Sequence, residues 1–412
     1  MALPPALRHR PYRLYGIGLL FWQAGVWTQS IAMGWLTYRI TGSVLMLGAV
    51  GFATHIPVLL LSPVGGLLAD RFDRRRVIMI LLWVALAQSA TLALLVGLEV
   101  VQAWHLIVLS LLLGVVFAIE HPTRMSFTTR LVEDRRDLPS AVNMNGLIFN
   151  LTRMAGPAIG GVMVASFGEA VCFATTVGTY LVTLAIIARL PLQPEERRAT
   201  TSLFRGFKDG LDFVWDSPAV RTPMLLAAGV SLVAMPYTVL MPYFAKTVFQ
   251  GNASVLGILT SAVGFGAICS ALYSLRNRTL PTIPRATGGA VLLMGMALMV
   301  FSSIHVLWIA VISVMIAGAC SFQVGNGVST LIQTVVPDHL RGRVIAVFAM
   351  SWMGMLPVGS LISGSVAEVI GPERLLMVSA TITFILALLF RRSLPAVEAA
   401  LHERERRAGQ LQ

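Results

Sequence analysis

The stretch GGLLADRFDRRRVIM, Gly65 to Met79, places two aspartates and four arginines in a short connection between two long apolar runs. Such dense charge stands out in a chain that is 56% hydrophobic and 12% charged, with a mean hydropathy of +0.78. Soluble domains carry about 25% charged residues. Apolar runs long enough to cross about 30 Å of hydrocarbon recur along all 412 residues. The sequence therefore predicts an all-α membrane protein, with the charged stretch at a membrane surface.

Twelve spans are predicted on either side of this connection, and the even number places both termini on one side of the membrane. The predicted spans are 14–38, 44–69, 76–98, 104–127, 140–166, 170–189, 222–247, 255–276, 285–303, 306–334, 343–367 and 373–391. The longest connection divides them into six and six. The predicted domains are an N-terminal six-helix bundle, a linker, a C-terminal six-helix bundle and a tail, with the bounds 1–189, 190–221, 222–391 and 392–412.

The basic residues alternate with the spans. Of the 31 lysines and arginines, 27 lie in the two tails and the even-numbered connections, whereas Arg39, Lys246 and Arg374 lie in odd-numbered connections and Arg153 lies inside a span. The positive-inside rule makes the arginine-rich face cytoplasmic. The net charge of +12 is then a signal of topology and of attraction to anionic lipid, so it does not indicate a nucleic-acid partner.

Other classes of protein are disfavoured by missing motifs. No Gly-rich loop ends in Gly-Lys-Ser/Thr and no HExxH motif occurs, so neither ATP hydrolysis nor zinc-dependent catalysis is expected. Cys172, Cys269 and Cys320 fall inside apolar runs, where they are predicted to be packing residues. The N-terminal residues have no signal-peptide pattern and are predicted to be a cytosolic tail. No enzyme activity, cofactor or metal is expected.

The linker contains SLFRGFKDGLDFVWDSP, residues 202–218, which places Phe204, Phe207, Leu211, Val214 and Trp215 near one helical face. This pattern favours an interfacial helix. A frayed loop is the alternative, because two glycines weaken the helix. The residues after the fourth span are weakly similar in sequence to those after the tenth, as expected for a duplicated six-helix unit.

The opening stretch resembles the loop signature of the major facilitator superfamily between spans two and three. The matching residues are Gly66, Leu68, Ala69, Asp70, Arg71, Arg74, Arg75, Val77 and Ile78. Asp73 departs from the pattern, because the family usually has glycine there. The resemblance implies two pseudo-symmetric six-helix bundles that rock about a central cavity. It also implies that Asp70 closes the cytoplasmic side by contacting the start of span eleven, near Arg341 and Arg343. Arg75 and Arg76 are interpreted as topology anchors.

Span five carries RMAGPAIGG, residues 153–161, which resembles the glycine-proline motif of the superfamily's exporters. Gly156, Gly160 and Gly161 permit close helix packing, and Pro157 removes a backbone donor. The alternative is an ordinary small-residue contact. TGS after span one and HPTR at the end of span four narrow the resemblance to the branch of enterobactin-type siderophore exporters and macrolide efflux proteins.

Charged residues inside spans are costly and mark function. Glu120 and Arg153 are the two that the span assignments place inside, at depths that permit pairing, and His55 and His121 are further candidates for proton transfer. A histidine bonded only to backbone is the alternative. The resemblance implies a cavity lined mainly by spans one, four, seven and ten. Those spans offer, besides Glu120, the candidates Gln23, Trp27, Tyr237, Gln323 and Asn326.

The expected function is proton-coupled efflux of an amphipathic small molecule, drug-like or siderophore-like, by alternating access in the inner membrane. The expected partners are this substrate, protons and membrane lipid, and the expected state is a monomer. An importer or lipid transporter of the same fold is one alternative, and a membrane scaffold or sensor without transport is another.

The charge asymmetry predicts the topology directly. With Cys172, Cys269 and Cys320 replaced, a cysteine placed near Gly251 should react with an impermeant thiol reagent from outside, whereas one near Arg198 should not. Labelling of whole cells measures both. The reverse pattern would overturn the orientation.

Overall fold

The computed structural model describes residues 4–191, 203–276 and 282–409 of the chain. Within these ranges the side chains at 70, 203–208, 275–276, 338, 396 and 400–409 lie outside the description. Nearly every described residue lies in a helix, and no strand occurs in these three ranges.

Thirteen α-helices form the described part of the chain. They are α1 Arg10–Thr41, α2 Val44–Arg71, α3 Arg74–Gly97, α4 Ala103–Thr128, α5 Leu138–Ala188, α6 Leu203–Asp216, α7 Pro218–Gly229, α8 Tyr237–Tyr243, α9 Ala253–Arg276, α10 Ile283–Ser303, α11 Leu307–Val335, α12 Asp338–Ile370 and α13 Pro372–Gly409. Two π-helical turns, Val230–Ala234 and Phe244–Val248, join α7 and α8 into one span and continue it.

The prediction of a twelve-span helical membrane protein is confirmed. Ten helical segments of the described ranges are long and apolar enough to cross a membrane. One of them contains α5, which breaks into two helices at Gly168. The remaining span is α1, which is less apolar because it carries Gln23 and Gln29.

Only Gly42 and Ser43 separate α1 from α2. Gly42 ends α1 in the left-handed conformation with φ of 62°, and Ser43 then caps α2 by accepting a hydrogen bond from the Met46 amide at 3.3 Å. The TGS motif is thus a helix stop followed by a helix start. Gly168 has φ of 81°, and it is the only residue with non-helical φ and ψ inside the long α5.

The chain forms two compact units. The first contains Met1–Thr201 and Met241–Ser261, and the second contains Ser202–Leu240 and Ala262–Gln412. Segment 241–261, from the end of span seven and the start of span eight, therefore packs with the N-terminal helices. The predicted boundaries at 189, 221 and 391 stay predictions.

Glycines let the helices of the first unit approach closely. A Cβ on Gly65 of α2 would lie 2.5 Å from the Ala118 carbonyl oxygen of α4, so only glycine fits there. Its neighbour Gly66 faces open space. Across the α1 and α5 contact, the Thr183 hydroxyl donates to the Gly18 carbonyl at 3.1 Å. Apolar packing gives little net stabilisation among lipid tails, so such close backbone contacts hold the helices together.

A buried polar cluster adds specificity to the packing of α1, α3 and α4. The Gln29 amide donates to Gln88 Oε1 at 2.8 Å, and the Ser89 hydroxyl donates to Gln29 Oε1 at 2.7 Å. The Gln88 amide reaches the Leu109 carbonyl at 3.3 Å. Because both glutamines and the serine are at most 1% exposed, these bonds replace those lost to water.

In the second unit, α6 is a helix as predicted, and it packs against α12. Gly210 lies so close to Arg343 that an added Cβ would be 3.0 Å from its backbone. Val214 is buried and Trp215 is 55% exposed. Phe204 and Phe207 lie outside the described side chains, so the predicted apolar face is described only in its second half.

Gly168 predicts a test of the α5 break. Gly168→Ala forces a Cβ into positive φ, at a cost of about 1–2 kcal/mol, and should lower the thermal unfolding midpoint in detergent. The matched control is Gly178→Ala, which is exposed, helical and meets no atom within 4 Å. It should unfold no earlier than the parent, because alanine favours a helix by up to about 1 kcal/mol. Equal midpoints for the two variants would contradict this account of the break.

Candidate functional site

Asp73 begins α3 in the charged connection between spans two and three. Its Oδ1 accepts a hydrogen bond from the Arg76 amide at 2.9 Å, and its φ of −61° is ordinary extended backbone. The family's glycine is therefore replaced here by an N-cap, which requires no positive φ. Arg130, in the connection after α4, lies 3.8 Å from Asp73 Oδ2.

The arginines of this connection have different roles. Arg75 donates to the carbonyls of Ala188 and, at 3.2 Å, Leu190, where α5 ends. Arg75 thus satisfies carbonyls that the helix end leaves free, and its interpretation as a topology anchor stays a prediction. Arg74 donates to the Ala69 carbonyl at 3.2 Å, and Arg71 is exposed.

The predicted gate is described only in part. The side chain of Asp70 lies outside the described residues. At the start of α12, Arg343 Nη1 donates to Asp209 Oδ2 of α6 at 2.5 Å, and Arg341 is half-buried. The contact between Asp70 and this helix start stays a prediction.

Glu120 forms a buried ion pair with Arg124, one turn further along α4. Arg124 Nε lies 2.6 Å from Glu120 Oε1, and each side chain is 9% exposed. The interpretation of Glu120 and Arg153 as the only charges inside spans is therefore wrong. The HPTR motif places Arg124 at the end of predicted span four, where Arg124 is counted with the basic residues of the connection that follows. Spacing of four on one helix was the signal that could have found the pair.

A chain of hydrogen bonds lies next to this ion pair. Tyr12 of α1 donates from its hydroxyl to Asn145 Oδ1 of α5 at 2.9 Å, and the Asn145 amide donates to Thr128 Oγ1 at 3.0 Å. Thr128 in turn donates to the Arg124 carbonyl at 3.0 Å. Three helices thus meet around the pair, so its geometry depends on their packing.

The other candidates for proton transfer, His55, His121 and Arg153, differ in their surroundings. His55 Nδ1 lies 2.9 Å from the Gly51 carbonyl, which matches the alternative of a histidine bonded to backbone. His121 is exposed, and Arg153 is half-buried on α5. Pairing of Glu120 with Arg153 stays a prediction. Among the described residues, no three His, Cys, Asp or Glu side chains are arranged to hold a metal.

The glycine-proline motif of α5 contacts helices on two sides. A Cβ on Gly156 would lie 2.6 Å from Trp27 Cβ, and one on Gly160 would lie 3.0 Å from Thr28 Cα, both in α1. A Cβ on Gly161 would lie 2.6 Å from the Ala253 carbonyl and 2.9 Å from Gly257 Cα, both in α9. Pro157 is buried between these contacts.

The cavity candidates lie in both units. In the first, Gln23 is 9% exposed, and Trp27 stacks edge-on with Phe149 at 5.8 Å between ring centres. The Trp27 indole N–H is buried without a hydrogen-bond partner among the described residues. The second unit holds the remaining three, of which Tyr237 is buried and the other two are half-buried: Tyr237, Gln323 and Asn326. Gln323 Oε1 accepts from Ser274 at 2.9 Å. Their sharing of one cavity stays a prediction.

A second buried ion pair, between Glu169 and Arg39, was not predicted from the sequence. Glu169 is 7% exposed, and its Oε1 accepts from Arg39 Nε at 2.6 Å. Glu169 follows the break at Gly168, where a longer connection had been predicted. The pair ties the C-terminal end of α1 to the second half of α5.

A scan against protein families matches residues 2–411 to a major facilitator family described as "Transmembrane secretion effector". The chain belongs to this family. It is therefore a multi-pass membrane transporter of the major facilitator superfamily and not an enzyme, and the predicted resemblance is confirmed.

Two curated relatives cover most of the chain. The multidrug efflux pump Tap of Mycolicibacterium fortuitum is 29% identical, over 83% of this chain and 85% of that protein. The staphyloferrin A transporter of Staphylococcus aureus is 25% identical, over 89% and 92%. Among solved structures, a bacterial homologue of the lysosomal transporter Spinster superposes with a TM-score of 0.73 at 14% identity, covering 96% and 98% of the two chains. The last likeness shows the shared major facilitator fold.

The buried ion pair predicts an asymmetric effect on stability. Arg124→Gln leaves the Glu120 carboxylate buried without its counter-charge and should destabilise by about 3–5 kcal/mol. The double variant Glu120→Gln with Arg124→Gln removes both charges and should recover much of the lost thermal stability in detergent. Arg71→Gln, at an exposed arginine, is the control and should leave the unfolding midpoint unchanged. A double variant no more stable than Arg124→Gln would contradict the pairing.

Proposed function

We propose that this transporter exports an amphipathic small molecule, drug-like or siderophore-like, in exchange for protons. It acts by alternating access in the cytoplasmic membrane, as a monomer, with both termini in the cytoplasm. The direction is supported by the relatives, one named as an efflux pump, and by the glycine-proline motif of α5. The orientation is supported by the concentration of basic residues in the tails and the even-numbered connections.

The substrate class is supported by the chemistry of the cavity candidates. Trp27 and Tyr237 offer aromatic surface, whereas Gln23, Gln323 and Asn326 offer neutral amides. Sites for small molecules combine apolar walls with a few such polar groups. The indole N–H of Trp27 is buried with no partner among the residues that the structure describes, which makes it a ready donor to a substrate oxygen.

Proton coupling is carried by one observation, the Glu120–Arg124 ion pair buried in α4. A carboxylate in a low-dielectric surrounding stays ionised only while a cation lies close to it. Arg124 supplies that cation at 2.6 Å. Both charges lie on α4, so movement of α1 or α5 beside the pair would change its access to water, and with it the proton affinity of Glu120, while the two residues keep their spacing on the helix. His55 and His121 are the alternative candidates for proton transfer, and Arg153 on α5 is an alternative counter-charge for Glu120.

The cytoplasmic gate completes the proposal. Asp70 at the end of α2 would hold the start of α12 through Arg341 or Arg343 when the inner side is closed. Arg74 and Arg75 support the connection by donating hydrogen bonds to backbone carbonyls, and a Cβ added at Gly66 would meet no atom within 4 Å. In this proposal, the gate at Asp70 and the proton site at Glu120 are separate sites that act in the same transport cycle.

Glu120→Gln tests the proposal, because glutamine keeps the size and hydrogen bonding of the side chain but cannot titrate. In proteoliposomes, the variant should lose efflux driven by a pH gradient by tenfold or more, while exchange of substrate without a gradient persists. The exposed Glu99→Gln is the matched control and should transport like the parent. Retained proton-driven efflux would remove Glu120 from the coupling role.

The same flux assay separates the alternatives. Inward flux or lipid flipping would support an importer or lipid transporter, and no flux of any candidate substrate would support a scaffold or sensor. A thermal-shift screen with siderophores, macrolides and lysolipids identifies the compound to load into the proteoliposomes.

A further inference from the structure

Helix α11 of the second unit carries polar side chains but no charged ones. Its residues Leu307–Val335 include no Asp, Glu, Lys, Arg or His. Two amides, Gln323 and Asn326, are half-buried near the middle of this helix. The neighbouring α12 has no charged residue between Arg343 and Glu368. A molecule that contacts these two helices halfway along their length therefore meets neutral side chains.

Trp352 of α12 lies against the backbone of α11 at Gly325. A Cβ added at Gly325 would lie 3.2 Å from Cζ2 and 3.3 Å from Cε2 of the indole. The Trp352 carbonyl accepts a hydrogen bond from the hydroxyl of Ser231, which is 1% exposed and belongs to the π-helical turn Val230–Ala234. Turns of this kind are frequent at functional sites in helices. The backbone and the ring of Trp352 are thus both held in place, while the residue stays half-buried.

Gln323 is held from another side of α11. Its Oε1 accepts a hydrogen bond from the Ser274 hydroxyl of α9 at 2.9 Å, and Ser274 is 7% exposed. Successive residues of an α-helix are about 100° apart, so Asn326 lies between Gln323 and Gly325 around the helix. Asn326 therefore lies on the face of α11 that α9 borders on one side and Trp352 borders on the other.

The three side chains of this indole–amide face, Trp352, Gln323 and Asn326, offer hydrogen-bond donors. Because Ser274 occupies the Oε1 of Gln323, the amide nitrogen of Gln323 is the group left for a ligand. Within the described ranges, neither the Trp352 indole N–H nor the Asn326 side-chain amide bonds to another residue. An indole N–H donates and never accepts. The ligand group that matches the face is therefore a hydrogen-bond acceptor next to apolar surface.

The lack of charge decides which acceptors fit the indole–amide face. A carboxylate that left water for this face would lose its hydration without gaining a counter-charge, at a high cost in free energy. The oxygen of an ester, lactone, amide or hydroxyl group loses less hydration, and the donors of the face replace the hydrogen bonds that it gives up. The chemistry of the face thus favours uncharged oxygen acceptors over ionised ones.

We propose that the indole–amide face binds the uncharged, oxygen-bearing side of the exported molecule. The Trp352 ring covers an apolar surface of that molecule, and the indole N–H with the amides of Gln323 and Asn326 donates to its carbonyl, ester or hydroxyl oxygens. This inference rests on the proposed function, because it treats the face as part of a transport site. It goes further in assigning Trp352 to substrate recognition and in selecting neutral lactones and esters over carboxylates.

Two probes of nearly equal size test the selectivity: the 14-membered macrolactone erythronolide B, which is uncharged, and its ring-opened acid, which carries a carboxylate at pH 7. Binding to the full-length protein in nanodiscs is measured by calorimetry without any gradient. The parent should bind the macrolactone about tenfold or more tighter than the acid. Trp352→Phe keeps an aromatic ring but removes the N–H, and it should weaken macrolactone binding by about two- to tenfold. Asn326→Leu should weaken it by a similar factor.

Three further variants separate direct contact from a structural role. Gly325→Ala changes none of the three side chains but places a Cβ against the indole, so it should also weaken macrolactone binding. Asn326→Lys supplies a counter-charge and should tighten binding of the acid. Trp308→Phe, at a tryptophan of α11 that is 67% exposed, is the matched control and should bind both probes like the parent.

The inference would be overturned by parental macrolactone affinity in Trp352→Phe or in Asn326→Leu. Equal affinity of the parent for the two probes, or binding of neither, would also overturn it. If Trp352→Phe fails to fold, Asn326→Leu and Gly325→Ala carry the result. Selective binding in a protein that shows no proton-driven flux would support the indole–amide face while contradicting the proposed function, so the two failures are distinguishable.

Discussion

Close approach of helix backbones is the constraint on which the rest of this structure depends. Lipid tails are as apolar as the helices they surround, so burying leucine against leucine adds little net stability, and contact between backbones has to hold the bundle. Gly65 against Ala118 and Gly160 against Thr28 show how near the helices come. Once they are that near, short hydroxyl side chains such as Thr183 reach the carbonyls of the next helix.

The helices themselves were predictable because the signals for them are local. Long apolar runs and the TGS motif between α1 and α2 each depend on adjacent residues. The break at Gly168 was predicted as a longer connection, because sequence alone does not show that one residue with positive φ suffices to turn the chain. Contacts between distant residues were less accessible. Arg75 follows the expected motif, yet its bonds to the end of α5 depend on how two helices meet.

The charged residues also divide into those that a local pattern predicts and those whose contacts involve distant residues. Glu120 was found because a lone acid in an apolar run is conspicuous, whereas Arg124 was read with the arginines of the following connection. The hydrogen bonds that link Tyr12 and Asn145 through Thr128 to the Arg124 carbonyl join three helices, and no local pattern reveals them. Glu169 was missed for a similar reason, since a residue beside a turn is buried only if another helix, here α1 with Arg39, covers it.

The contact between Gly161 and Gly257 has a mechanical consequence. Interlocked side chains resist rotation because every step requires new rotamers, whereas two glycine surfaces present only smooth backbone to each other. Where Gly161 meets Gly257, no side chains interlock, so this contact opposes rotation of one helix against the other less than interlocked side chains would.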